Sequence, residues 1–160
     1  MNQSKPVVLV LNGPNTNLLG ERDPSLYGGA TLPDVERVTR AHALARGLEI
    51  DFRQSNHEGQ LIDWIHAARG KVAGAIINPA ALTHTSMAIP DALRILGVPL
   101  VELHFANVYR DPAKVERQRS YVRPVATGVI LGFGPGGYLL AVDAVHQQLF
   151  PPVFRQEQAS

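Results

Sequence analysis

The chain contains no cysteine among its 160 residues, which excludes disulfides, thiolate zinc sites, iron–sulfur clusters and a cysteine nucleophile. It also lacks a block of charge, since 15 Lys and Arg residues are scattered among 14 Asp and Glu residues, for a net charge of +1. Such a chain is a poor candidate for binding nucleic acid or an anionic membrane. No apolar stretch approaches the ~20 residues of a membrane span, and none near the N-terminus has the length of a signal peptide. We therefore expect a soluble, cytoplasmic protein that binds neither nucleic acid nor membrane.

Short apolar runs alternate with amphipathic stretches along the whole chain. The apolar runs predict five strands, at residues 7–11, 48–52, 72–77, 98–103 and around 129–131. The amphipathic stretches predict four helices, one between an N-cap at Thr31 and a stop at Gly47, and others at about 58–69, 85–96 and 138–149. Pro90 should kink the third helix or mark its boundary.

This alternation with short connections is typical of parallel βαβ units. We predict an α/β three-layer sandwich with a flavodoxin-like, doubly wound, five-stranded parallel sheet. Residues 1–150 should form a single catalytic domain, and the polar tail at 151–160 should be disordered.

Polar clusters follow all five predicted strands. They begin at Asn12, Gln54, Asn78, Glu102 and Gly132. Ligands of open parallel sheets bind outside the carboxyl ends of the strands. Loops are polar in any case, but the loops predicted at the opposite edge are short and plain. The contrast favours a binding site at the carboxyl edge.

Glu102 and His104 lie two residues apart in the fourth predicted strand, so their side chains point to the same face of the sheet. A carboxylate beside an imidazole fixes the tautomer and favours the imidazolium, which is a proton donor near neutral pH. A purely structural contact at the end of a strand would show the same pattern. The pair alone does not separate these two interpretations.

Tyr27 lies in the first glycine-rich loop, five residues after Arg22. A phenol has an ordinary pKa of about 10 and acts as a base near neutral pH only with a cation nearby. A guanidinium can supply that positive charge. Taken alone, however, this segment is better explained as a surface tyrosine and a surface arginine.

Glycines at 132, 134 and 137 match the dinucleotide-binding pattern between a strand and a helix. That pattern needs a further strand with an acidic residue ~20 positions on, and here the chain ends. We interpret these glycines as serving a turn and helix–sheet packing.

Three histidines follow three different predicted strands: His57, His84 and His104. Three imidazoles can hold zinc with one open position. No ligand spacing supports a metal here, so we expect none.

Four ordered segments resemble the signatures of the type II dehydroquinase (3-dehydroquinate dehydratase) family. They read NGPNTNLLGERDPSLYG at 12–28, QSNHEG at 54–59, NPAALTHTS at 78–86, and ELH at 102–104 followed by Asn107. The resemblance covers about residues 8–150. It implies anti elimination of water from 3-dehydroquinate through an enolate, without metal or cofactor. The product would be 3-dehydroshikimate, in the shikimate pathway of aromatic amino acid biosynthesis or in quinate metabolism.

The same resemblance implies a role for each candidate residue. Tyr27 would be the base that removes the proton alpha to the ketone, and Arg22 would stabilise its phenolate form. Asn15 would position a water against the enolate oxygen. His104 would protonate the departing hydroxyl, and Glu102 would orient His104. The substrate-binding residues would be Asn78 and the backbone amides of Phe105 and Ala106 for the carboxylate, with His84 and Arg117 (less securely Arg110) for the hydroxyls.

The resemblance further implies a homo-oligomer, a dodecamer built from trimers in which Asp91 reaches a neighbour's site. The chain departs from the family pattern at Ala106, where the family usually has Ser, at Thr16, where it has Leu, and at Pro90, where it has Arg. Two alternatives stay open on sequence grounds. One is a related lyase or weakly active paralogue acting on a modified ring acid, and the other is a flavin- or nucleotide-binding module.

Overall fold

A five-stranded parallel sheet organises the computed structural model, which describes residues 4–22, 24 and 29–153. The strands are β1 (Val7–Asn12), β2 (Glu49–Gln54), β3 (Gly74–Asn78), β4 (Leu100–His104) and β5 (Gly128–Leu131). The helices are α1 (Leu32–Leu44), α2 (Glu58–Ala68), α3 (Ala88–Arg94) and α4 (Gly137–Leu149). Every pairing is parallel and the order is β2-β1-β3-β4-β5, which confirms the predicted flavodoxin-like arrangement.

Strand β1 is buried on both faces of the sheet. Val8 and Val10 join the cluster that contains side chains of α1 and α4, whereas Leu9 and Leu11 join the cluster of α2 and α3. Because successive side chains of a strand point to opposite faces, a continuous apolar run is what a central strand of a three-layer sandwich requires. The two clusters are therefore the two halves of the core.

Helix α1 begins where the sequence predicts. The Thr31 hydroxyl accepts a hydrogen bond from the backbone N–H of Asp34, and the Asp34 carboxylate accepts one from the backbone N–H of Thr31. This reciprocal capping box satisfies two N–H groups that the first turn of a helix leaves without partners.

The third helix differs from its prediction. Residues 80–84 form a 3-10 turn, and α3 covers only Ala88–Arg94 instead of 85–96. Pro90 lies in the first turn of α3, where a missing N–H costs no helical hydrogen bond, so it neither kinks nor ends the helix.

Strands β1 to β4 also run one or two residues further towards their carboxyl ends than predicted. Strand β4 begins at Leu100 because Pro99 has no N–H to give to the ladder. Strands β1, β3 and β4 end at Asn12, Asn78 and His104, so polar side chains are held by the sheet itself.

Of the tail at 151–160 that the sequence predicts to be disordered, the structure describes residues 151–153, and 154–160 lie outside the described residues. Among the helices of the described ranges, none is long and apolar enough to cross a membrane.

Candidate active site

The carboxyl ends of three adjacent strands bring the candidate residues to one edge. Asn12 stands opposite Asn78 in the β1–β3 register, and Ile77 stands opposite Glu102 in the β3–β4 register. Strand β4 ends two residues later, at His104. The ends of β1, β3 and β4 therefore lie side by side, and the loops that follow them meet at this edge.

A pocket of about 220 Å³ opens there. Eight of the eleven residues named from the sequence line it: Asn15, Arg22, Asn78, His84, His104, Phe105, Ala106 and Arg117. Glu102 lies beneath this lining, fully buried.

Glu102 and His104 are in direct contact, as the spacing predicts. His104 Nε2 lies 2.7 Å from Glu102 Oε1, and His104 is 8% exposed. The other carboxylate oxygen, Oε2, is buried without a hydrogen-bond partner in the described part of the chain. With Nε2 committed to Glu102, Nδ1 is the ring nitrogen left for a ligand in the pocket.

Ser120 also contacts this pair, and sequence reasoning assigned it no role. Its hydroxyl donates a 2.7 Å hydrogen bond to Glu102 Oε1 across eighteen residues of sequence. No periodicity or motif links a serine in a long polar loop to a glutamate on the preceding strand.

A second polar network lies beneath the pocket, centred on Tyr138, which sequence reasoning also missed. The Tyr138 hydroxyl donates to Asn12 Oδ1 and accepts from Asn78 Nδ2, the latter at 3.4 Å. Asn12 Nδ2 donates to the carbonyl of Arg53 at 2.9 Å. Burial raises the pKa of Tyr138 well above its ordinary value of 10.0, so this phenol stays neutral.

The loops after β1 and β3 are packed directly against each other. The N–H of Gly13 donates to the carbonyl of Asn78 at 2.8 Å. A Cβ at position 13 would lie 2.4 Å from the carbonyl oxygen of Pro79, so only glycine allows this approach. Asn15 follows in a left-handed conformation (φ 66°), and its N–H donates to Asn56 Oδ1.

His84 is held by the loop between β4 and β5. Its Nδ1–H donates to the carbonyl of Arg119 at 2.6 Å, which leaves Nε2 available. Arg117 ends a short turn at Val115–Arg117 and lines the pocket. Arg110 is exposed and does not line it, so the structure favours Arg117 of the two candidate arginines.

Of the remaining named residues, Asp91 lies away from the pocket, and Tyr27 is not among the residues that the structure describes. Asp91 is exposed on α3, where its carboxylate pairs with Arg94 at 2.7 Å. Tyr27 lies outside the described residues, although Arg22 in the same loop lines the pocket.

The glycine-rich loop after β5 serves a turn and packing. Gly132 has a positive φ of 88°, and a Cβ there would lie 3.0 Å from Asn107 Cβ. A Cβ on Gly137 would lie 2.7 Å from Leu103 Cδ1, so this glycine lets α4 approach β4. Within the described ranges, no group of three or more His, Asp or Glu residues is placed to hold a metal ion.

Comparisons with known proteins agree over most of the chain. The family model described as dehydroquinase class II matches residues 6–146. The chain is 57% identical over 136 residues to "3-dehydroquinate dehydratase 2" of Pseudomonas aeruginosa, covering 85% of this chain and 90% of that protein. It is 55% identical over 140 residues to the protein of the same name from Pseudomonas putida, covering 87% and 92%. The crystal structure of type II dehydroquinase from Butyrivibrio crossotus superposes with a TM-score of 0.84 at 37% identity, covering 89% of this chain and 98% of that one.

Proposed function

Because the chain belongs to the class II dehydroquinase family, we propose that it converts 3-dehydroquinate to 3-dehydroshikimate by acid–base catalysis in the pocket at the carboxyl edge of the sheet. It is a hydro-lyase, which breaks one C–O bond and one C–H bond and releases water. The observation that carries this mechanism is the buried Glu102–His104 pair, with the imidazole lining a pocket shared with Arg22 and Asn15.

His104 is the proposed general acid. A hydroxyl is a poor leaving group, so breaking its C–O bond requires a proton in the transition state. The Glu102 carboxylate accepts from Nε2 and stabilises the imidazolium by charge, as an opposite charge at this distance does. Nδ1 then delivers the proton to the departing oxygen.

Tyr27 is the proposed base, acting as a phenolate on the proton alpha to the ketone. Arg22, which lines the pocket five residues earlier in the chain, supports this role with its positive charge. Among the tyrosines that the structure describes, Tyr138 stays neutral, and neither Tyr109 nor Tyr121 lines the pocket. The base is therefore sought in the loop that carries Arg22.

Asn15 is the proposed stabiliser of the enolate oxygen, acting through a positioned water. Its backbone is fixed by the hydrogen bond to Asn56, which orients the loop before substrate binds.

The Asn78 side chain and the backbone N–H groups of Phe105 and Ala106 are the proposed contacts of the substrate carboxylate. All three residues line the pocket.

His84 and Arg117 are the proposed contacts of the ring hydroxyls.

The proposed assembly is a dodecamer built from trimers, in which Asp91 contacts the site of a neighbouring copy. Its exposed position on α3 is compatible with that contact, because the carboxylate is 74% exposed in the single chain.

The experiment adds purified protein to 3-dehydroquinate and follows the ultraviolet absorbance of the conjugated enone product, with and without a chelator. His104→Ala should lower kcat by about 10²–10⁴-fold, the usual contribution of a general acid. The matched control is His66→Ala, which removes an exposed imidazole from α2 and should leave kcat unchanged. Wild-type kcat in His104→Ala would contradict the assignment, and loss of product with chelator would contradict a metal-free reaction.

A related ring acid is the second candidate substrate, and Ala106 is the observation that favours it. Ala106 lines the pocket beside the proposed carboxylate contacts and has no side-chain donor. A panel of ring acids that differ in the carboxylate and hydroxyl positions separates the two. A kcat/KM higher for another acid than for 3-dehydroquinate would favour the related lyase.

A further inference from the structure

The Ser120 hydroxyl makes three hydrogen bonds, and together they fix the direction of its proton. It accepts from the backbone N–H of Val122 at 3.1 Å and from that of Arg123 at 2.9 Å. A hydroxyl has two acceptor lone pairs and one proton. Because both lone pairs are used, the proton must go to the third neighbour, Glu102 Oε1, at 2.7 Å.

This direction limits where the proton between Glu102 and His104 can lie. Oε1 accepts from Ser120, and it contacts His104 Nε2 at 2.7 Å. If Oε1 carried a proton, that proton could not go to Ser120, whose hydroxyl is already a donor with no free lone pair, and would have to lie on the line to Nε2. Because a carboxyl group is ordinarily a stronger acid than an imidazolium, the proton shared between Oε1 and Nε2 lies on Nε2, and Nδ1 is the nitrogen free to exchange a proton with a ligand.

Ser120 itself is held in place by its neighbours in sequence. The carbonyl of Arg119 accepts from His84, and the N–H of Tyr121 donates to the carbonyl of Thr83 at 3.0 Å. The hydroxyl is thus carried by a segment that is tied to the loop after β3, and its position relative to Glu102 is fixed.

Resting on the function proposed above, we propose that Ser120 is a positioning residue of the reaction. Its hydroxyl holds the Glu102 carboxylate so that His104 keeps its proton on Nε2 and presents Nδ1 to the substrate. The buried carboxylate has only these two hydrogen bonds in the described part of the chain, both on Oε1. Without Ser120 the carboxylate depends on His104 alone, and a buried charge with fewer partners turns away from its position.

The test is a series at position 120 with enone formation as the assay. Ser120→Ala should lower kcat by about 10–100-fold, the usual effect of removing such a supporting partner, while KM changes less than about twofold. Ser120→Thr should restore most of kcat because it keeps the donor, and Ser120→Cys should fall between because a thiol is a weak donor. The matched control is Thr127→Ala, whose hydroxyl accepts from the N–H of Leu100 at the other end of β4. It should lower stability without lowering kcat.

A second readout does not depend on turnover. Nitrogen-15 NMR of histidine-labelled protein, at a pH where the His104 ring is neutral and with His104 assigned by its loss in His104→Gln, should show Nε2 protonated in the wild type and a mixture of tautomers in Ser120→Ala. Equal kcat and equal spectra in wild type and Ser120→Ala would overturn the proposal, and so would an equal loss of kcat in Thr127→Ala. The two proposals can fail separately. If the spectra show the Nε2 tautomer in the wild type and its loss in Ser120→Ala, but the wild type forms no enone, the role of Ser120 in fixing the tautomer is upheld and the proposed function is refuted.

Discussion

At the scale of single residues, the site depends on buried polar side chains that are held by other buried polar side chains. Tyr138 illustrates this dependence, because its one hydroxyl contacts Asn12 and Asn78 together. The three side chains of this network come from two strands and a helix that are far apart in sequence. Removing the hydroxyl leaves a buried amide oxygen and a buried amide nitrogen with fewer partners.

We predict that Tyr138→Phe lowers the free energy of unfolding by about 1–3 kcal/mol, the usual cost of leaving buried polar groups without partners. Because Asn78 loses a contact that orients it, KM should also rise. Urea unfolding and steady-state kinetics measure the two effects. Tyr109→Phe is the control, since Tyr109 is 45% exposed and should change stability by less than about 0.5 kcal/mol. Equal stability of the two variants would contradict the role of this network.

The sequence predicted the residue contacts that arise from local geometry and missed those that arise from folding. Glu102 and His104 were paired correctly because alternate residues of a strand share a face. Tyr138 joins the site across 60 residues from Asn78 and 126 residues from Asn12. A tyrosine on an apolar helix face carries no local signal of such a partner.

At the scale of elements, helix α1 shows how hydrogen bonds at a helix end make the stability of the fold depend on pH. The pKa of Asp34 lies below its ordinary value of 3.8. The largest cause is the hydrogen bond from the Thr31 hydroxyl, followed by the one from the Thr31 backbone N–H and by the side chain of Arg37. A folded-state pKa below the unfolded one stabilises the fold above the unfolded pKa. That stabilisation is lost as the pH falls through the lowered pKa.

We therefore predict that Asp34→Asn reduces the pH dependence of stability on the acid side. The wild type should lose stability relative to the variant as the pH falls below about 4, the range where an ordinary aspartate titrates. Urea midpoints across this range measure the difference. Parallel curves for the two proteins would contradict a stabilising ionised Asp34.

The loops that form the site require close backbone contact, and Gly13 and Gly59 provide a matched pair for testing it. Gly13→Ala places a methyl group against the backbone of Pro79 and should cost about 1–3 kcal/mol, as overpacking does. Gly59 lies in α2, and a Cβ added there would meet no neighbouring group within 4 Å. Gly59→Ala should therefore stabilise by up to about 1 kcal/mol through helix propensity. Thermal unfolding of both variants gives the signs, and a stable Gly13→Ala would contradict the contact.

Prediction of the elements succeeded for the apolar strands and the capped first helix, and it failed at the bounds of the third helix. The strands follow from periodicity, their order from the arrangement usual for five strands joined by parallel crossovers, and the cap at Thr31 from local chemistry. The third helix was predicted to cover 85–96, and it covers only Ala88–Arg94. The Ser86 hydroxyl accepts from the backbone N–H of Ile89, so the helix begins after this serine.

At the scale of the whole molecule, the central question is how many copies complete a site. The proposed assembly has twelve times the 17.4 kDa mass of one chain. Light scattering should give that mass. A monomer that turns over 3-dehydroquinate with full activity would contradict the need for a neighbouring copy.

Asp91 tests the same question at the site. Asp91→Ala should lower kcat/KM without changing the mass, because it removes a proposed contact to the neighbour's substrate. Arg94→Ala is the control, since it breaks the same 2.7 Å ion pair on the surface of α3 but keeps the carboxylate. Equal kcat/KM in the two variants would contradict a role for Asp91 across the interface.

The proposed reaction depends on one proton being removed by Tyr27 and another being supplied by His104. The most direct measurement is the rate of enone formation from 3-dehydroquinate by wild type, Tyr27→Phe and the control Tyr109→Phe. We predict rapid product formation by the wild type and by Tyr109→Phe, and a rate lower by at least about 10²-fold in Tyr27→Phe. Product formation by Tyr27→Phe at the wild-type rate, or none by the folded wild type, would contradict the account.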